Sequence, residues 1–174
     1  MSFDFKDVEK FFDNLETLRE DSQKIVEEMV IDEGRYAARQ ARDITKNQKI
    51  VNTSAYRWNW HTGDASTLAY ESKEPYDGRR PRKKGDTYTI DVYNNVDYAK
   101  HLEYGFRSHY VPPQHLSGKY KRKFPKGLYV GTPGEYVKGK YVLREAIRRT
   151  EVTQNARLTR KWNAKVKEYI ERGL

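Results

Sequence analysis

The residues best suited to chemistry in this 174-residue chain lie between positions 101 and 115. They are ligand types that bind zinc: His101, Glu103, His109 and His115. His101 and Glu103 form a His-x-Glu pattern, but hydrolytic zinc sites with that pattern also need a Cys-x-x-Cys pair, and the chain contains no cysteine. Three histidines in a short loop arise easily by chance, so the sequence predicts neither a metal nor a cofactor.

Other kinds of catalytic site lack their required residues. Without cysteine there is no thiolate nucleophile, disulfide framework or Cys-ligated iron–sulfur centre. The sequence shows neither a glycine-rich phosphate loop nor the Gly-x-Ser-x-Gly turn of a serine hydrolase. No pair of carboxylates lies in an apolar context that would separate their pKa values for acid–base work. We therefore predict that the protein is not an enzyme.

Composition predicts a folded protein with a modest core. Charged residues make up 34% of the chain and hydrophobic residues 36%, and the mean hydropathy is −1.04. The aromatic content of 13% argues against disorder, because disordered chains are poor in aromatic residues. Tyrosine and arginine are favoured at protein interfaces, so we expect much of the surface to contact partners.

Membrane insertion is not expected. No apolar run approaches the roughly 18 residues needed to span a bilayer, and the N-terminal residues are acidic and mixed. They lack the basic start and apolar stretch of a signal peptide. We expect a protein made in the cytosol.

The formal net charge of +9 is unevenly distributed. Residues 1–33 contain 4 basic and 11 acidic side chains, whereas the remaining residues contain 30 basic and 14 acidic ones. This polarity is typical of a molecule that stacks on copies of itself or faces a polyanion. A solvated acidic helix followed by an ordinary basic domain would show the same pattern.

Two predicted irregular segments concentrate the positive charge. A Pro/Gly-rich hairpin loop at 76–86 carries Arg79, Arg80, Arg82, Lys83 and Lys84. A 26-residue irregular arm at 106–131 carries Lys119, Lys121, Arg122 and Lys123. Structureless segments of this length in a compact domain usually bind something. We predict that both segments contact partners or neighbouring subunits.

Helices are predicted at both ends of the chain, because all six prolines lie between Pro75 and Pro133. Apolar spacing predicts two N-terminal helices, or one kinked helix, within 1–48, with Asp21-Ser22 as the break. The run Thr132-Pro133-Gly134-Glu135 matches a capping box and predicts a helix to about Thr150, followed by another from Gln154.

Strands are predicted in the middle of the chain, at 53–60, 66–72 and 87–93, followed by a short helix at 97–104. The fold class is therefore α+β, with a small antiparallel sheet packed against N- and C-terminal helices. We predict a single domain with four segments: helices at 1–48, sheet and short helix at 51–105, the arm at 106–131 and helices at 132–174.

The run from Val92 to Gly105 resembles a signature of tailed-phage head–tail joining proteins, also called tail-completion or minor tail components. In that family a strand ends in Asn, a Tyr-Ala pair opens a short helix, and a Val/Leu-Glu-x-Gly turn closes it. Here Tyr98, Ala99 and Gly105 hold those positions. Residues 51–57 are similar to the family's Val-x-Thr-Gly-x-Leu-Arg run, with Ser54 and Tyr56 replacing its Gly and Leu. The resemblance covers roughly residues 5–150.

Three residues of this signature have a physical reading of their own. Ala99 beside Tyr98 lets the short helix approach the sheet closely, and Gly105 suits the left-handed position after a helix end. Glu103 falls in the last helical turn, where the helix dipole disfavours an acid. It is therefore predicted to need a basic partner, either within the fold or on a neighbouring subunit. A purely structural packing motif remains the alternative.

The resemblance implies a structural virion protein of a phage, a prophage or a tail-like particle. It would assemble in the host cytoplasm into a ring, usually of six copies, at the neck between the head connector and the tail tube. It would complete the tail and join it to the head. One alternative is a tail terminator that stops tube growth. A second alternative, of a different class, is a basic accessory protein that binds nucleic acid through its basic loops. For the neck protein itself, incidental contact of these loops with DNA in the lumen is expected.

Overall fold

The computed structural model describes residues 6–50, 55–63 and 80–171, and it confirms the predicted α+β class. The chain divides into two compact units. The first unit comprises Met1–Asn95 and Arg144–Leu174, and the second comprises Val96–Leu143. The predicted arrangement as a single domain with four segments stays a prediction.

The helices of the described part are α1 (Lys6–Asn47), α2 (Ala55–Trp58), α3 (Ala99–Tyr104), α4 (Gly118–Lys123) and α5 (Val142–Ile170), with a 3₁₀ turn at Pro113–His115. The strands are β1 (Trp60–Gly63), β2 (Arg82–Lys84), β3 (Thr87–Thr89), β4 (Asp91–Asn94), β5 (Gly105–Arg107), β6 (His109–Val111), β7 (Leu128–Val130) and β8 (Tyr136–Lys138). They form four antiparallel two-stranded ladders: β1–β4, β2–β3, β5–β8 and β6–β7.

Helix α1 is a single 42-residue helix, so the predicted break at Asp21-Ser22 is wrong. The Ser22 hydroxyl donates to the carbonyl of Arg19 at 2.8 Å and does not cap a new helix. Gly34 lets α1 lie close to β1 and to Ile90, since a Cβ there would come within 3.2 Å of the Thr62 side chain and 3.1 Å of the Ile90 side chain. The buried face of the helix is rich in small residues, Ala37, Ala38, Ala41 and Thr45, and it also contains Ile44.

The core of the first unit forms where α1 meets α2 and β1. Residues 55–58 are helical, so the strand predicted at 53–60 begins only at Trp60. The helical turn buries Tyr56 edge-on against Trp60, with 5.4 Å between ring centroids. The side-chain amide of Asn94 on β4 donates to the carbonyl of Tyr56 at 2.7 Å. These contacts outweigh the β-propensity of the Thr/Tyr/Trp-rich sequence.

The strand predicted at 87–93 is interrupted at Ile90 because its two halves pair with different partners. Strand β3 pairs with β2, whereas β4 pairs with β1. Gly85, with φ of +59°, occupies the tight β2–β3 turn. The predicted long loop therefore ends at β2, and three of its basic residues lie on a strand. The strand predicted at 66–72 lies outside the described residues.

In the second unit, the arm predicted to be irregular contains β5, β6, α4 and β7, so that part of the prediction is wrong. Each strand has only three residues and pairs with a distant segment, as in Phe106 opposite Val137 and Tyr110 opposite Tyr129. Three-residue strands are too short to show the alternation by which strands are predicted.

The capping box predicted at Thr132–Glu135 is also wrong. These residues form a turn, in which the Glu135 amide donates to the Thr132 carbonyl at 3.0 Å, and β8 follows directly. Gly134 has φ of +85°, a conformation that a helix does not use. Helix α5 begins at Val142 and continues to Ile170 without the predicted break near Thr150.

An ion pair joins α1 and α5 within the first unit. The Arg157 guanidinium makes a two-pronged contact with the Glu33 carboxylate, with 3.0 Å between Nε and Oε1, and both groups are nearly buried. The Arg157 Cζ lies 3.7 Å from the centroid of the Tyr36 ring, and an Nη atom donates to the Thr150 carbonyl. The hydrogen bond to Glu33 raises the pKa of Arg157 above its ordinary value.

Candidate assembly surfaces

The short helix α3 ends at a glycine that no other residue can replace without strain. Gly105 has φ of +84° and ψ of 179°, a region of backbone conformation that is essentially restricted to glycine. It begins β5 and lies opposite Lys138 of β8. A Cβ at this position would overlap the carbonyl oxygen of Val137 and lie 2.7 Å from the Gly139 nitrogen. Gly105 therefore permits both the turn and the close pairing of β5 with β8.

Glu103 is buried within the second unit, with 7% of its surface exposed. Its carboxylate accepts a hydrogen bond of 2.8 Å from the backbone amide of Leu143, the second residue of α5. A carboxylate is favourable at this position because the first amides of a helix carry a partial positive charge. The first amides of α5 thus stabilise the Glu103 carboxylate, which the dipole of its own helix α3 disfavours. An intersubunit role for Glu103 stays a prediction.

We expect Glu103→Ala to destabilise the second unit by about 1–2 kcal/mol, as the loss of a helix-capping side chain does. Glu103→Gln keeps an acceptor but loses the charge, so its effect should be smaller. Urea unfolding and hydrogen exchange of the Leu143 amide measure the change. Glu135→Ala removes an exposed acid from the same unit and is the control. Unchanged exchange at Leu143 would contradict the proposed capping contact.

The basic residues of the predicted hairpin loop lie mainly on β2. Arg82, Lys83 and Lys84 are all exposed. The Arg82 guanidinium pairs with Asp91 at 2.8 Å, and the Lys83 ammonium bonds the Gln23 side chain at 3.2 Å. Arg80 is exposed, whereas Arg79 lies outside the described residues. Arg82 and Lys83 thus also stabilise their own unit.

The basic residues of the predicted arm lie on α4 and are exposed: Lys119, Lys121, Arg122 and Lys123. Pairs three and four residues apart on this helix carry like charges, which repel each other. No acidic residue occurs between Arg107 and Gly134 to offset that repulsion locally. The helix is therefore suited to a partner that carries negative charge.

Exposed tyrosines occur in the same unit as these cations. Tyr110 on β6 faces Tyr129 on β7, with 5.5 Å between ring centroids. The Tyr110 hydroxyl donates to the carbonyl of Lys126, which connects this pair to the segment after α4. Six tyrosines of the unit are exposed by 38–64%: Tyr98, Tyr104, Tyr110, Tyr120, Tyr129 and Tyr136. Such tyrosines are typical of protein interfaces, since their large rings contribute contact area and their hydroxyls remain hydrated.

The match with a known family covers the N-terminal part of the first unit and α3. A model of the HK97 gp10-like family of bacteriophage tail components matches residues 9–105, more than half of the chain. The chain belongs to this family. The match ends at Gly105, so α4, most of the exposed tyrosines of the second unit and α5 lie beyond the matched region. No curated protein and no solved structure matches it significantly.

This assignment makes the protein a structural component of a bacteriophage tail, and it confirms the family resemblance found in residues 92–105. Within the residues that the structure describes, no helix is long and apolar enough to cross a membrane. The same residues contain no group of three or more His, Asp or Glu side chains positioned to hold a metal ion. Instead, His101 and His109 both pack against the Phe106 ring.

Sequence reasoning missed three residues of the tyrosine-rich surface of this tail component, namely Tyr104, Tyr129 and Tyr136. Tyr129 and Tyr136 belong to three-residue strands whose pairing was not predicted. A signal was nevertheless present, because half of the 14 tyrosines fall within 96–143.

Proposed function

We propose that this tail component forms a ring at the phage neck that completes the tail and joins it to the head connector. One combined observation supports the proposal: the chain belongs to a family of tail components, and the exposed surface of its second unit is rich in tyrosines and cations. Tyrosine and arginine are the residue types that contribute most at protein interfaces. The proposed partners are further copies of the chain, the connector and the tail tube.

A ring requires each subunit to present two different, complementary surfaces. The chain has an excess of acids in residues 1–33 and an excess of bases elsewhere. We propose β2 and α4 as the basic contact elements, because both present exposed cations. The proposed copy number is six, and the proposed location is the virion neck after assembly in the host cytoplasm. The role is structural and not catalytic.

Light scattering and electron microscopy of the purified chain, with and without purified tail tubes, test this proposal. We expect closed rings on tube ends. Reversing the charges of Lys119, Lys121, Arg122 and Lys123 to glutamate should reduce ring occupancy at least about tenfold, because like charges at an interface cost several kcal/mol. A matched control reverses four exposed cations outside β2 and α4: Arg39, Lys46, Lys49 and Arg160. A strict monomer that never assembles on tubes would contradict the proposal.

A nucleic-acid-binding accessory protein is the second candidate, favoured by the stretch without acids around α4. A salt titration of DNA binding separates the two functions. Tight binding by the free chain, falling steeply with salt as phosphate counterions are displaced, would favour the DNA-binding role. The experiment with tail tubes also distinguishes a neck protein from a tail terminator. A terminator would make the tubes shorter and more uniform in length without promoting the attachment of heads.

A further inference from the structure

The N-terminal half of α1 presents an acidic face. Glu9, Asp13, Glu16 and Glu20 follow a spacing of four, three and four residues, which places them on one side of a helix. All four are exposed. Phe12 falls on the same side and is 64% exposed. We call these five residues the acidic face.

The acidic face brings like charges together along one helix. Glu9 and Asp13, like Glu16 and Glu20, are like charges four residues apart, which destabilise a helix. All five residues of the acidic face are exposed, so packing within the described part of the unit does not cover it. A surface that supplies cations and accommodates an aromatic ring would relieve both the repulsion and the exposure of Phe12.

The second unit contains a surface of that chemistry. We define the tyrosine–cation surface as Tyr110, Tyr129, Lys119, Lys121, Arg122 and Lys123. Its four cations lie within one short helix, and its two tyrosines form a tilted pair on adjacent strands. The Tyr110 hydroxyl connects the pair to the segment just after that helix, through the Lys126 carbonyl. Tyrosine rings offer Phe12 an apolar contact, while the cations offer ion pairs to the carboxylates.

We propose that the acidic face of one copy binds the tyrosine–cation surface of the next copy. Charge complementarity selects this occupant: the face carries four acids, and the surface carries four cations with no acid between Arg107 and Gly134. The contact joins two different surfaces, so it repeats from copy to copy and can close a ring. The inference rests on the proposed ring, of which it is the repeating contact.

Disulfide cross-linking tests this contact, because the chain has no cysteine of its own. Thr17→Cys marks the edge of the acidic face, and Ser117→Cys marks the residue before α4; both positions are exposed and uncharged. The two variants, carrying different tags, are mixed and oxidised with and without tail tubes. A mixed disulfide between the two chains is expected. Val152→Cys, 74% exposed on α5, replaces Thr17→Cys in the control and should give at least about tenfold less product.

Charge-reversal variants test whether the mixed disulfide depends on the proposed ion pairs. The mixed disulfide should be abolished when the Thr17→Cys chain also carries Asp13→Lys, Glu16→Lys and Glu20→Lys. It should likewise be abolished when the Ser117→Cys chain also carries Lys119→Glu, Lys121→Glu and Lys123→Glu. Pairing the two reversed chains should restore it. Three results would each overturn the inference. They are equal yields of mixed disulfide from Thr17→Cys and Val152→Cys, no mixed disulfide either with or without tail tubes, and no restoration of the mixed disulfide when the two reversed chains are paired.

The same preparations separate this inference from the proposed function. If rings form on tube ends without the specific mixed disulfide, the inference fails and the neck role stands. If the mixed disulfide forms and is restored by paired reversal while no rings form on tubes, the contact stands and the neck role fails.

Discussion

Replacing Gly105 with alanine is expected to unfold the second unit. Gly105 adopts φ of +84° and ψ of 179°, which costs a non-glycine residue about 1–3 kcal/mol. An added Cβ would also overlap the Val137 carbonyl oxygen, and this backbone atom cannot move without breaking the β5–β8 pairing. The two costs add, so we expect a loss of at least about 3 kcal/mol.

Three other glycines serve as matched controls for Gly105→Ala. Gly139→Ala reproduces the overlap with backbone atoms but not the positive φ, since its Cβ would lie 2.6 Å from the Tyr104 carbonyl carbon. Gly134→Ala has a positive φ of +85° but open space around it, and Gly118→Ala has neither feature. Protection of the β5 and β8 amides from hydrogen exchange should be severely reduced in Gly105→Ala and Gly139→Ala. The reduction should be smaller in Gly134→Ala and slight in Gly118→Ala. Native protection in Gly105→Ala would contradict the structure of this turn.

Replacing Glu33 with alanine is expected to destabilise the first unit by about 3–5 kcal/mol, as removal of one partner of a buried ion pair does. The Arg157 side chain is only 13% exposed and would keep its charge, because a guanidinium does not lose its proton in proteins. Its raised pKa means that its stabilising contribution is complete below its ordinary pKa and is lost only at strongly alkaline pH. The effect of the substitution should therefore not vary across neutral pH through Arg157.

Urea unfolding of Glu33→Ala, Arg157→Met and the double variant measures the coupling. The double variant should be more stable than the sum of the single effects predicts, since it leaves no unpaired charge. Glu168→Ala is the control, because its pair with Lys165 is exposed on both sides and should contribute at most about 1 kcal/mol. Equal losses for Glu33→Ala and Glu168→Ala would show that the α1–α5 ion pair does not stabilise the unit.

Much of the described fold was predictable from local sequence. The helical character of α1 followed from apolar spacing without proline, although its continuity through Asp21-Ser22 did not, and α3 followed from a short helical run ending at Gly105. These features depend on neighbours within one or two turns, which sequence periodicity reports directly. The family resemblance rested on the same short run and is confirmed by the family match. Exposure of the α4 cations followed from their charge, because unpaired charges are rarely buried.

The amino-acid sequence by itself determined the α+β class, the glycine after α3 and the separation of acidic from basic segments. Only the tertiary structure decided that 106–138 forms paired strands, that Thr132–Glu135 is a turn and that Glu103 is buried against the start of α5. The strand pairing and the burial of Glu103 depend on contacts between residues 16–40 positions apart, as in Tyr110 with Lys126 and Glu103 with Leu143. The turn at Thr132–Glu135 leads directly into β8, which pairs with β5. Their free energy comes from pairing and burial in the folded chain, which local propensity does not encode.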